Sequence, residues 1–143
     1  MARDLYIHVH SGKEPVDLLF SFEPGLNIIW ADAGTSEPPE VVEEMMARYG
    51  TLYANTSYRE SDILMRDGAV DPAWRRVLER FPDRFMVGSD TWVNSQWASY
   101  GEIIAENRQW LSQFPHTIAE QIAFKSAERL FGRKVENSLI GLR

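Results

Sequence analysis

Four times along this chain a short apolar run is followed by a stretch with helical spacing, and that alternation leaves few folds open. Residues 5–10 (LYIHVH), 26–31 (LNIIWA), 51–58 (TLYANTSY) and 85–89 (FMVGS) read as strands. The second is apolar almost throughout, as expected of a strand covered on both faces. Pro15, Pro38-Pro39 and Asp71-Pro72 open helices, because a proline in the first turn forfeits no intrahelical bond. Val16, Leu18, Leu19 and Phe22 face inward from the first helix, Val41, Val42, Met45 and Met46 from the second, and Trp74, Val77, Leu78 and Phe81 from the third. Two more helices, residues 100–114 and 116–131, are separated by Pro115 and closed by Gly132. Strands alternating with helices at this spacing predict a parallel sheet with right-handed crossovers. The fold class is therefore α/β, built from parallel (β/α) units. A closed eight-unit barrel takes about 250 residues, and this chain has 143. It is half a barrel in size, or else a complete open four-stranded sheet. One domain spans residues 1–143, and the last eleven show no clear pattern.

Composition removes several functions. The net charge of −6 argues against nucleic acid and against an anionic membrane surface. No apolar run is long enough to span a bilayer, and the first ten residues lack a signal-peptide core. A cytoplasmic protein acting on a small molecule is the expectation. Cysteine is absent, so any metal must be held by histidine and carboxylate.

In a parallel sheet all strand exits share one rim, where ligands and catalytic groups gather. Each exit here carries polar groups: His8 and His10, Asp32, the segment 55–59, and Asp90. His8 and His10 are two apart, so both point to one face of their strand and can grip one ion. Either is also a candidate hydrogen-bonded interior residue. Asp90 follows Gly88-Ser89 and is a metal ligand, a proton acceptor or a helix cap. Asp32 is a base, a ligand or the cap of the following turn. Arg59 can bind a substrate carboxylate in bidentate fashion or form a structural ion pair with Glu60. Trp92 and Trp97, in the loop after Asp90, line a pocket or cover the mouth. Trp30, Trp74 and Trp110 read as core, and His116 as a surface residue.

At these residues the sequence resembles the amidohydrolase superfamily, in its amidohydrolase-related branch of metal-dependent hydrolases and decarboxylases built on a TIM barrel. The stretch FPDRFMVGSD, residues 81–90, is similar to that branch's eighth strand, whose aspartate is a metal ligand and proton shuttle. IIWADAG, residues 28–34, is similar to the sixth strand, which normally carries histidine where Asp32 stands. Residues 119–132 are similar to the closing helix, with Ser126 in place of its asparagine. The first strand here is similar to the fifth. The resemblance implies strands five to eight of the barrel. It also implies a divalent metal, zinc foremost, held by His10 and Asp90 with His8 as a further donor. Asp90 and Asp32 would be catalytic, and Arg59 and Trp92 would bind substrate. Strands one to four are missing, and two matched ligands fall short of the three protein groups a catalytic zinc takes.

Three readings follow. The chain is a metal-dependent hydrolase of the amidohydrolase type, impaired by what it lacks. Or it is a non-catalytic half-barrel that forms a homodimer or joins a partner half-barrel across its open edges. Or it is a piece of a longer enzyme.

Overall fold

A computed structural model describes residues 5–132. Four strands form one parallel sheet in sequential order: β1 (Tyr6–Val9), β2 (Asn27–Trp30), β3 (Leu52–Asn55) and β4 (Phe85–Met86). Between them run α1 (Lys13–Phe22), α2 (Pro39–Arg48), the single turn α3 (Glu60–Ile63) and α4 (Pro72–Arg80). After β4 come α5 (Asn94–Ala98), α6 (Tyr100–Leu111), α7 (His116–Glu120) and α8 (Ser126–Phe131). The expected parallel α/β architecture is what folds.

The register explains the two faces. Ile28 pairs with Leu52, Trp30 with Ala54, and Ala54 with Phe85. These five side chains point to one face, and all are fully buried. They meet Val16 and Phe20 of α1, Val42, Met45 and Met46 of α2, and Trp74, Val77 and Leu78 of α4. Each such side chain contributes roughly 1.5–3 kcal/mol when fully buried. Trp30, Trp74 and Trp110 are all core, as their spacing predicts. The opposite face carries Tyr6, His8, Ile29, Tyr53, Asn55 and Met86, and no helix layer of α1, α2 or α4 covers it.

Two strands end well before the runs that predict them. β3 ends at Asn55 because the chain turns there: Tyr58 takes a left-handed φ of 63°, and Arg59 N–H closes the turn on Thr56 O at 3.1 Å. With β3 ended, β4 has no neighbour beyond Met86, so residues 87–89 leave the sheet instead of extending it. Asp71 caps α4 as expected, accepting from Ala73 N at 2.9 Å and Trp74 N at 3.0 Å. The helix expected over 116–131 is continuous but widens to a π turn at Gln121–Lys125. The Ser126 hydroxyl donates to Gln121 O at 2.9 Å and sits 3.2 Å from Pro82 O. That hydroxyl is inserted into the helical ladder, a recognised cause of widening. Residues 133–143, which show no pattern in sequence, lie outside the described residues.

Candidate functional site

The strand exits do come together on one rim. β1 releases His10, and β2 releases Asp32 in a tight turn. His10 Nε2 lies 2.8 Å from Asp32 Oδ2. The Asp32 side chain is almost wholly buried, whereas that of His10 is 69% exposed. The carboxylate therefore holds the ring from beneath and leaves Nδ1 to an outside partner, as the orienting acid of a catalytic dyad does. Asp32 caps no helix. Its own backbone N–H donates to Asn55 Oδ1 at 2.9 Å, which ties the β2 exit to the end of β3. Trp30 Nε1 donates to Ser11 O at 2.7 Å and ties it to β1.

The turn that presents Asp32 is unusual. Asp32, Ala33, Gly34 and Thr35 all have φ between 44° and 84°. The glycine adopts that region freely and aspartate more readily than most, whereas Ala33 and Thr35 each give up about 1–2 kcal/mol. Asp90 is left-handed too, at φ 50°. Strain of this kind persists where the surroundings impose it, and it clusters at functional sites. Here Arg59 does the imposing. Its guanidinium is buried and stacks 4.8 Å from the Trp74 ring. Nη2 donates to Glu37 O at 2.7 Å, and Nη1 donates to Thr35 O. Nε lies 3.1 Å from Asp62 Oδ2, near enough for ionic attraction but off-line for a hydrogen bond. A substrate-binding role is expected of Arg59; here its Nη1 and Nη2 hold the backbone of the strained loop. Its ionic partner is Asp62 rather than Glu60.

Asp90 is partly buried and accepts no hydrogen bond among the described residues, so it is not a cap. Burial, and after it the charge of Asp32, pushes its carboxyl above the ordinary aspartate value, while His10 pulls it back. The three groups share one electrostatic neighbourhood. His8 turns to the inner sheet face, where its Nε2 lies 3.1 Å from Asn55 Nδ2. Trp92 is 77% exposed. His116 is a surface residue, paired with Glu120 at 3.1 Å.

Sequence reasoning passed over Asn107 and named Glu60 only as the neighbour of Arg59; both are buried. Asn107 on α6 donates to Ile103 O at 3.0 Å and Gly88 O at 3.4 Å, and its Oδ1 accepts from Trp110 Nε1 at 3.0 Å. The helical spacing of Ile103, Asn107 and Trp110 was the available signal. Glu60, buried beside it, has its carboxyl raised chiefly by burial, then by the charges of Glu106 and Asp90. A folded-state value above the unfolded one means stability that is present at low pH and lost as pH rises through the folded value. Glu60→Gln is therefore expected to stabilise the protein near neutral pH and to match it below about pH 4. Urea unfolding at both pH values checks this; an equal difference at both would refute it.

Among the described residues no group of three or more His, Asp or Glu is gathered so as to hold a metal ion. The zinc set expected from the sequence is thus incomplete here, and these residues by themselves do not fit a catalytic metal.

No protein-family model matches the chain, and no curated protein is significantly similar to it. Solved structures are. An amidohydrolase from Burkholderia multivorans, in one crystal form with bound HEPES and in another with bound zinc, superposes with a TM-score of 0.60 at 16% identity. The match covers 90% of this chain and 53% of that one. The chain thus spans about half the length of the structures it resembles, and the likeness is one of fold. No helix of the described residues is long and apolar enough to cross a membrane.

Proposed function

We propose that this chain carries part of a hydrolytic site of the amidohydrolase type, acting on a small carbonyl substrate in the cytoplasm. The observation that supports it is the gathering of His10, Asp32 and Asp90 at the exits of parallel strands, two of the three in left-handed backbone. In this reading Asp90 accepts a proton from the attacking water. Its raised affinity for protons suits it to that work better than an ordinary aspartate. The His10 imidazole, oriented by Asp32, hands a proton to the departing oxygen or nitrogen. The four strands correspond to strands five to eight of a barrel. A divalent ion, zinc foremost, would need at least one donor from outside the described residues, so proton transfer is assigned to the chain's own groups. Turnover by the chain alone is slow. The test is hydrolysis of uncharged esters and lactones, with Asp90→Asn as the control. Turnover that depends on Asp90 supports the reading, and turnover indifferent to it, or none at all, counts against it.

A second reading has its own support. Among the described residues β1 is an outer strand of the sheet; it exposes Ile7 at 40%, beside Leu5 at 66%, and the chain has half the length of its structural neighbours. An apolar edge strand favours association. In this reading two copies, or this chain and a partner half-barrel, join edge to edge and supply the missing donors. Light scattering at micromolar concentration is then expected to give twice the mass of the chain. A single-chain mass together with a cooperative melt would sink the homodimer.

A further inference from the structure

The geometry points to a binding site for an uncharged, ring-sized apolar group in the cavity between the inner sheet face and α8, with a carbonyl or amide at its His8–Asn55 end. The cavity holds about 430 Å³, within the usual range for small-molecule sites. Its walls are Tyr6, Ile29, Met86, Val87, Ala127 and Phe131. No Asp, Glu, Lys or Arg lines it, although such residues make up 25% of the chain. A charged group seated there would lose its hydration without finding a partner.

Ile29 and Met86 are only 7% and 6% exposed although they lie on the face that α1, α2 and α4 leave bare. α8 and the π turn before it pack on β4 and cover Met86, and Phe131 meets the Tyr6 ring edge-on at 6.1 Å. Tyr6 in turn meets Tyr53 at 5.8 Å, so aromatic edges close one end.

The other end is polar and ordered. Asn55 Oδ1 accepts from the backbone N–H of Asp32 and of Ser57, at 2.9 and 3.3 Å, which turns Nδ2 towards His8. In the tautomer whose Nε2 accepts from that amide, at 3.1 Å, the ring proton sits on Nδ1. Asn55 and His8 are the polar side chains that a ligand carbonyl would meet where the apolar walls stop. Asn55 also holds Asp32, and Gly88 in the cavity wall lies two residues from Asp90. Resting on the hydrolytic reading, this makes the substrate an ester, amide or lactone that carries an aryl or compact alkyl group, with that group pointing away from the rim.

The experiment is a methyl-NMR titration of methionine-labelled full-length protein, with the Met86 signal assigned through Met86→Leu. Phenylacetamide is expected to shift Met86 saturably and to leave the core residues Met45 and Met46 in place. Acetamide, at the same concentrations, should shift nothing. Ala127→Trp fills the cavity and should weaken binding about tenfold or more; unchanged Met45 and Met46 signals certify its fold. Phe131→Ala, at an exposed position, removes a wall and should weaken binding too. Asp90→Asn should bind as the parent does. An absent or unsaturable Met86 shift, an equal shift with acetamide, or unweakened binding by a folded Ala127→Trp overturns the site. The two readings fail separately. Cavity-dependent binding without turnover of phenylacetate esters sinks hydrolysis and supports the cavity. Turnover unaffected by Ala127→Trp supports hydrolysis and overturns the cavity.

Discussion

Gly34→Ala is expected to lower the free energy of unfolding by about 3 kcal/mol and the melting temperature by about 10 °C. Two costs add. Gly34 has φ 84°, where an alanine is strained by about 1–2 kcal/mol. A β-carbon there would also lie 2.6 Å from Cζ2 of Trp30 and 2.8 Å from Cγ of Glu37. Neither neighbour is free to yield. Trp30 is fully buried and its Nε1 is bonded to Ser11 O. Glu37 Oε1 accepts from Lys13 N at 2.7 Å. Overpacking of this kind costs about 1–3 kcal/mol. The residues on either side are already left-handed, so the turn has no slack to absorb the change. The displaced turn carries Asp32, so the His10–Asp32 contact should be lost with it. Thermal and urea unfolding measure the first effect; a loss below about 1 kcal/mol would mean the turn adapts more freely than its packing implies.

Asp90→Asn is expected to reduce hydrolysis by about 10²–10⁴-fold, the usual worth of a positioned acid or base. The fold should survive. Asparagine tolerates φ 50° as well as aspartate does, and no hydrogen bond to the Asp90 carboxylate is broken among the described residues. A melting temperature unchanged within a few degrees separates lost chemistry from lost structure. The parent's pH profile adds a further check. A base must be deprotonated to work, so activity falls as pH drops through the raised Asp90 value. The acidic limb should therefore lie above 3.8, the ordinary aspartate value. A limb at or below it would remove Asp90 from the role of base.

The elements and their order were legible because the signals are local. Asp71 ahead of Pro72 caps α4 whatever surrounds it. The apolar run of β2 reads as a strand covered on both sides, and Ile28, Ile29 and Trp30 are all buried. The core tryptophans sit at helical or strand spacing. Strand ends were less legible: the run 51–58 stays strand-like in composition past Asn55, and only the turn at Tyr58 stops the ladder. Arg59 was the least legible of the site residues. An arginine beside a glutamate near a strand exit looks free to bind an anion, yet it lies under the β2 loop, stacked on a tryptophan fifteen positions away.

By itself the sequence determined the parallel β/α architecture, the buried face of the sheet and the identity of the polar groups at each exit. Spacing and capping act over a few residues and need no partner from afar. The tertiary fold alone decided which of those groups meet. It joined Asp32 to His10, sent His8 to Asn55 and buried Arg59. It also packed the closing helix on β4, leaving a cavity with mostly apolar walls on the inner face. Those outcomes depend on contacts between residues tens of positions apart, set by how the sheet curves and the loops pack, and no local pattern encodes them.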